Sequence, residues 1–549
     1  MNSKYKKLEL LWPGKDFEVK PEPRVLIEDP EKSYGEIDTE NMLIHADNLL
    51  VLKALEQKFT GLIKCIYIDP PYNTGNAFEH YDDGLEHSSW LNLLKPRLEL
   101  LYKLLSKEGI LFVNIDETEH AYCKIILDEI FGRKNFIGDI IWQKRKGGGN
   151  DSRFIALDHD YILVFAKNAT KEVHRYKWRI PQSIEYLKRY KETDENGEKF
   201  YWDTLARDGL QNPILITIKC PDGTSLSINS QKSLDTINEG LLNGQIKLKK
   251  SKNGWTLHHR VYMPKGQVLR SILNDVGTNK TANDETIELF GIENAFDYPK
   301  PESLIKKLLD LVTKPGDFVL DSFLGSGTTA AVAHKMGRKY IGIELGAHCN
   351  THCLPRLKVV CDGTDQGGIS KVANWKGGGG FRFYELAPSL LNKDKYNQWI
   401  INPNYNAQLL AAAMARHEGF TYCPSESIVW KQGFASENHY IFTTTNTITP
   451  DVVEQILSEM KPEESLRICC TAFIEECNEI SQRIEIRKIP AILLGKCEFG
   501  KEDYCTDTSI INMPTDPEKP AFVPSYINPE VKPTPAQISK ENVQTKLLF

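Results

Sequence analysis

The chain is 549 residues long, 41% hydrophobic and 26% charged, with a formal net charge of −6, enough apolar material for about three or four folded domains and too much for a disordered chain. No run of 18 apolar residues occurs, and the lysines near Met1 precede too short an apolar stretch for a signal peptide, so no membrane partner and a cytoplasmic location are expected. The 12 cysteines are scattered, with Cys469 and Cys470 adjacent, and imply no disulfide framework.

In chain order, Met42-Leu43-Ile44-His45-Ala46-Asp47-Asn48 reads as a strand ending in an acid. Asp47 suits the N-cap of a helix over 48–57 and equally a ligand contact beyond the strand end. The β-leaning run Leu62-Ile63-Lys64-Cys65-Ile66-Tyr67-Ile68 then enters Asp69-Pro70-Pro71-Tyr72-Asn73-Thr74-Gly75. Taken alone this is a stiff turn. It also suits gripping a flat base: Asp69 accepts from an exocyclic amine, the Pro70 carbonyl accepts its second hydrogen, Pro71 stiffens the loop, and Tyr72 stacks on the ring. Leucines at helical spacing over 88–105 predict a core-packing helix, followed by a strand over 109–116 and a helix over 119–131. Such alternation predicts an α/β fold with a doubly wound sheet, its ligands lying beyond the carboxyl ends of the strands.

Residues 146–290 read as an insert that opens on Gly147-Gly148-Gly149-Asn150. Nine Lys/Arg face four Asp/Glu over 141–180, and seven Lys/Arg face no acid over 241–270. Either stretch alone is the pattern of a solvated face. Together, flanking Trp178, Trp202 and Trp255, they suit nucleic acid, with Lys144, Arg145, Lys146, Lys249, Lys250, Lys252 and Arg260 as candidate contacts.

Beyond the insert, Phe318-Val319-Leu320-Asp321 runs into Ser322-Phe323-Leu324-Gly325-Ser326-Gly327-Thr328-Thr329, then a helix, a strand and Glu344. Gly325 and Gly327 let the backbone approach a ligand, and Glu344 is placed to chelate ribose hydroxyls. A dinucleotide site fits this pattern as well. The cluster His348, Cys349, His352, Cys353 and Cys361 has the i, i+4 spacing of a helix packed behind that loop, and no metal is expected there. Gly377 to Gly380 looks like a linker into an edge strand, then 377–510 reads as a separate α/β module and 511–549, with seven prolines, as a disordered tail.

The first heptad resembles the catalytic motif of amino-methyltransferases acting on adenine N6 or cytosine N4, and Asp-x-Phe-x-Gly-x-Gly-Thr-Thr resembles the S-adenosylmethionine loop of DNA amino-methyltransferases. Their order, with a large insert between, is that of the β group. The stretch from Pro23 to Gly35, the stretch from Ala77 to Gly84, and Asn294-Ala295-Phe296-Asp297-Tyr298-Pro299-Lys300-Pro301 resemble the Mod subunit of type III restriction-modification systems. The resemblance implies a Rossmann-like methyltransferase domain formed by 1–145 and 291–376, a target-recognition insert, and methyl transfer to adenine N6 in double-stranded DNA. It also implies a homodimer and a Res helicase-nuclease partner. Asp69, Pro70, Pro71 and Tyr72 would be catalytic. Phe323, Gly325, Gly327, Thr328, Asp321 and Glu344 would hold S-adenosyl-L-methionine, with Asp47 and Lys300 nearby. Cytosine N4, an orphan enzyme, and an RNA or protein amine are the alternatives. Cytosine C5 chemistry is disfavoured, because it needs a thiolate nucleophile and no Pro-Cys dipeptide occurs. Ser322 and Leu324 depart from the family's usual residues in the loop, without touching its glycines.

Overall fold

Short, nearly continuous apolar runs, the pattern of strands covered on both faces, build the sheet that carries the site. The computed structural model describes residues 9–72, 77–78, 81–82, 87–147, 154–170, 178–180, 182, 184–206, 209–252, 254–264, 266–292, 296–504 and 547–548. Residues 73–75 of the first motif, the glycines 148–149 with residue 150, residues 294–295, and nearly all of the proline-rich tail lie outside them.

In chain order the elements are β1 (Leu26–Gly35), β2 (Met42–His45), α1 (Asn48–Phe59), β3 (Ile63–Ile68), α2 (His87–Leu104), β4 (Leu105–Ile115), α3 (His120–Leu127), β5 (Phe136–Gln143) and β6 (His159–Ala166). After the insert come β7 (Ile272–Leu273), α4 (Asn279–Phe290), α5 (Glu302–Val312), β8 (Phe318–Asp321), α6 (Thr328–Lys335), β9 (Lys339–Glu344), α7 (Leu354–Cys361) and β10 (Gly380–Leu386). The strands form one eleven-stranded sheet in the order β7-β5-β6-β4-β3-β8-β9-β2-β10-β1, closed at one edge by Leu547–Leu548. From β4 to β10 all neighbours are parallel, whereas β6 runs antiparallel to both β4 and β5. This is the doubly wound α/β sheet that the alternation predicts.

Its core joins Ile66 and Ile68 of β3, Leu111 and Val113 of β4 and Leu320 of β8 to Leu49 and Leu52 of α1 and to Trp90, Leu94, Leu98 and Leu101 of α2. The α2 residues recur every three or four positions, so one helical stripe is buried. Each fully buried leucine contributes about 1.5–3 kcal/mol.

Chain boundaries differ from expectation in two places. The insert is smaller than 146–290: the separate compact unit is Trp178–Leu269, and the remainder of the chain forms the other. The reason is β6, whose Ile162-Leu163-Val164-Phe165-Ala166 is fully buried and fills an interior place in the main sheet despite its basic surroundings. The C-terminal region likewise belongs to the larger unit. β10 is an interior strand between β2 and β1, not an edge. The glycine run before it is a close contact and not a slack linker: a Cβ at Gly377 would lie 2.8 Å from the Gly363 nitrogen, and Gly377, Gly378 and Gly379 all have positive φ. Beyond it, a five-stranded sheet includes His439–Ile448 and Ser465–Phe473. This region is tied to α1, where Gln57 donates to the Phe420 carbonyl at 2.9 Å and Arg416 donates to the Ala54 carbonyl.

Within Trp178–Leu269, the strands Ile246–Ser251, Gly254–Tyr262, Lys199–Thr204 and Glu192–Thr193 form a sheet in that order, beside the hairpin Ile214–Lys219 and Ser225–Ser230. Ile246, Leu257, Ile216, Ile218, Ile228 and Ile237 are its core.

Candidate active site

The two loops singled out from sequence are neighbours because β3 and β8 are neighbours. Val319 pairs with Cys65 and Leu320 with Ile66 in parallel register, so the loops after Ile68 and Asp321 leave the same end of the sheet side by side, although 249 residues separate Tyr72 from Asp321. Parallel pairing has this effect wherever strand order reverses, since ligands collect beyond the carboxyl ends.

Asp69 is the hub of the first loop. Its Oδ1 accepts from the Tyr72 hydroxyl at 2.7 Å and from Asn114 Nδ2 at 3.3 Å, and its Oδ2 is ion-paired with Lys300. Asn114 also donates to the Tyr72 hydroxyl, and Lys300 Nζ lies 5.3 Å from the centre of the Tyr72 ring. The Pro71 carbonyl is taken by Trp90 Nε1 at 2.6 Å, which anchors the loop to α2. Among the described residues no hydrogen bond reaches the Pro70 carbonyl. Asp69 and Pro70 therefore present two acceptors at the cavity, the number that an amine with two hydrogens needs.

The glycine loop is braced from behind. Gly325 and Gly327 have φ of +56° and +83°, and a Cβ on Gly327 would lie 3.3 Å from Cys353 Cα. Glu344, at the end of β9, accepts from the amides of Gly325 at 2.7 Å and Gly346 at 3.0 Å and pairs with His348 Nε2 at 3.0 Å. Burial would raise its pKa, but His348 and the two amides outweigh that and hold it below the usual carboxylate value. Cys353 Sγ reaches the Gly325 carbonyl at 3.0 Å. His348 and Cys353 of the histidine-cysteine cluster thus serve as a strut for the loop; among the described residues no group has the arrangement of a metal site.

Arg356 of α7 completes the brace. It donates to the Ser326 carbonyl at 3.2 Å, to Thr328 Oγ1 at 2.9 Å and to Glu302 at 2.9 Å, and Glu302 also holds Lys335 at 2.8 Å. Lys335 in turn pairs with Asp365 at 2.6 Å. All four charges are buried, so each is held by its partners and not by water.

The two loops open on a cavity of about 270 Å³ whose wall includes Asp69, Pro70, Tyr72, Lys300, Phe323 and Gly325. Asp321 also lines it; burial, then the nearby Asp69 and Glu344 charges, push its carboxyl up to about 7 despite its bonds to Thr329 and the Phe323 amide. Asp116 is raised to about 6 by burial, and burial raises Asp160 against the pull of Lys144. Lys144 faces this wall, paired with Asp160 at 2.6 Å, and Arg145 lines it too. Lys146 donates to the Asn274 carbonyl at 3.0 Å. Asp47 caps α1 through the Leu49 and Leu50 amides, pairs with Arg97 at 3.1 Å, and is absent from the cavity wall.

In the insert, strand alternation sorts the candidate cations. Ile246 and Leu257 face the core. On the opposite face Lys249 is cross-strand from Thr256, Lys247 from His258, and Trp202 from Arg260. Lys247 Nζ lies 3.9 Å from the Trp202 ring centre, and the Arg260 guanidinium 4.7 Å from Phe200. Lys250 belongs elsewhere, bound with Trp255 Nε1 to Asp222. Lys252 is exposed near the turn.

Asn114, Trp90, Asp160, Arg356 and Lys247 escape motif reading. For Asn114 the signal is present: it is the one amide in the apolar strand Ile110-Leu111-Phe112-Val113-Asn114-Ile115, and a polar group there needs a partner.

A family model described as DNA methylase matches residues 63–351, just over half the chain. The chain is 34% identical over 424 residues to the "Probable type III restriction-modification enzyme HindVI Mod subunit" of Haemophilus influenzae, covering 66% of this chain and 56% of that one. It is 32% identical to the type III restriction-modification enzyme StyLTI Mod subunit of Salmonella typhimurium, covering 58% and 54%. Identity to the type II methyltransferase M.KpnI of Klebsiella pneumoniae is 30%, over 56% of this chain and 79% of that one. The chain spans little more than half the length of either Mod subunit.

Proposed function

The chain belongs to the DNA methylase family, and from that premise we propose that it transfers a methyl group from S-adenosyl-L-methionine to the N6 amine of adenine in a specific double-stranded DNA sequence. We propose further that it serves as the modification subunit of a type III restriction-modification system, working as a homodimer with a Res helicase-nuclease. The observation that carries the reading is the juxtaposition of Asp69 and Pro70 with the glycine loop across one parallel strand pair.

The cavity suits the cofactor by charge. Its wall carries five carboxylates (Asp69, Asp116, Asp160, Asp297, Asp321) against three cations (Lys144, Arg145, Lys300), a balance suited to a ligand with a sulfonium and an ammonium group. When bound, S-adenosylmethionine supplies a methyl carbon activated by the sulfonium. Phe323, Gly325, Gly327 and Thr328 would hold it, with Asp321 facing its positive groups, while Glu344 keeps the Gly325 amide in place.

An adenine amine is a weak nucleophile, so the protein's task is orientation and support of positive charge as it builds on nitrogen. Asp69 and the Pro70 carbonyl take the two amine hydrogens, and Tyr72 offers its ring to the base. Asn114 fixes the rotamers of Asp69 and Tyr72 together. Extruding a paired adenine costs on the order of a few kcal/mol, which stacking and these hydrogen bonds offset. The basic aromatic face of the insert, with Lys247, Lys249 and Arg260, suits phosphates and base edges.

The test is incubation with tritiated S-adenosylmethionine and unmethylated genomic DNA, followed by nucleoside identification. Label in N6-methyladenosine that disappears with Asp69→Ala is expected. Label in N4-methylcytosine would change the base and keep the chemistry; no labelled DNA at all would refute the reading.

A further inference from the structure

Lys300 stands in the way of the base. Its ammonium is ion-paired with Asp69 and lies 5.3 Å from the Tyr72 ring centre, so one cation occupies both the carboxylate that an amine must reach and a face of the ring on which a base must stack. Only 9% of the Lys300 side chain is exposed, so the pair is shielded and costly to leave half-made. The backbone there is stiff, because Pro299 and Pro301 flank the lysine and restrict it on both sides. Any release is therefore a swing of the four-carbon side chain. Of the other two cations on the cavity wall, Lys144 is committed to Asp160, and Arg145 makes no ion pair with Asp69 among the described residues. Lys300 is thus the cation on Asp69 that can answer an incoming anion by exchanging one carboxylate for another.

Resting on the function proposed above, we propose that Lys300 is a gate residue: while paired with Asp69 it closes Asp69 and Tyr72 to the target base, and the carboxylate of the bound cofactor's amino-acid end draws it away. The methyl donor then enters before the base. Exchange of one carboxylate partner for another leaves the lysine paired throughout, which keeps the swing inexpensive. Binding order follows from geometry, without any movement of the strands.

The recognition sequence is first read from the labelled genomic DNA, and a duplex is then made with 2-aminopurine at the target position, whose fluorescence rises when the base leaves the stack. For the wild type, no rise is expected without cofactor and a rise with S-adenosylhomocysteine, which retains the carboxylate. 5′-Methylthioadenosine, which lacks the amino-acid end, should produce no rise. Lys300→Met should show the rise with no ligand present and bind S-adenosylhomocysteine about tenfold more weakly by calorimetry, the loss of one charged hydrogen bond. Lys300→Arg, which keeps the ion pair, should stay dark without ligand and so separates gating from a damaged fold. The gate is overturned if Lys300→Met stays dark without ligand while responding to S-adenosylhomocysteine, if the wild type responds without ligand, or if 5′-methylthioadenosine opens it equally. A wild type that incorporates no label into DNA defeats the functional reading itself, and the gate with it.

Discussion

The surroundings of Asp69 and the open sheet face of the insert both present charge to a ligand, but they are built on opposite plans. Around Asp69 the side chains share partners: Tyr72, Asn114 and Lys300 converge on one carboxylate, and Asn114 bonds to two members of the set. On the insert face Lys247, Lys249 and Arg260 are spread over two strands, each resting on aromatic or small neighbours, none depending on another for its place. A converging set gives exact geometry and fails as a unit; a dispersed set gives affinity and fails by degrees. Chemistry needs the first and the recognition of a long polyanion tolerates the second.

The contrast can be broken most sharply at Asp69. Asp69→Ala should lower the methylation rate by about 10³ or more, a loss of roughly 4 kcal/mol of transition-state stabilisation, with a lowered melting temperature by circular dichroism because Lys300 loses its partner. Arg356→Met strikes the brace behind the glycine loop and leaves Glu302 short of a partner in a buried site; about 3 kcal/mol of stability should be lost, read by urea denaturation, together with a raised KM for S-adenosylmethionine and a near-normal KM for DNA.

A smaller effect is expected from pH. Asp321 is held up to about 7 in the folded protein, so it takes up protons that the unfolded chain releases nearer the usual carboxylate value. Its contribution to stability is therefore largest at low pH and declines as pH rises towards about 7. A cationic ligand favours the ionised form, so S-adenosylmethionine affinity should rise by up to about tenfold per pH unit below 7 and level off above it. Asp321→Asn should flatten that profile by calorimetry. Smallest are single changes on the insert face. Lys249→Ala or Arg260→Ala should each weaken DNA binding by only several-fold and reduce the slope of log affinity against log salt by about one; abolition of binding by either alone would show that face to be as convergent as the cluster around Asp69.

What could be read from the chain follows the same division. Asp69, Pro70, Tyr72, Gly325 and Gly327 are legible because each does its work within a few residues of a strand end, where spacing and backbone restriction speak directly. Asn114 and Arg356 act across the fold, and nothing local marks an amide or a buried arginine as a partner of a distant loop. Gly377 to Gly380 reads as slack because a glycine run denotes freedom or close approach with equal force, and only the packing of Gly377 against Gly363 decides between them. The basic segments were harder still. Lys249 and Lys250 are adjacent and alike in sequence, yet alternation along the strand sends one to the open face and ties the other to Asp222. Basic flanks likewise concealed β6, although its five consecutive apolar residues are what an interior strand requires.

The pairing of Val319 with Cys65 and Leu320 with Ile66 also frees the chemistry from the direction of reading. The site demands that two strands lie side by side, and makes no demand on which is synthesised first. A gene cut in the insert and rejoined through a linker between its old ends would present the glycine loop before the proline loop, yet fold to the same pair of neighbours. For this architecture the linear order of motifs is not fixed by the site, and a permuted chain with the same neighbouring strands is its natural consequence.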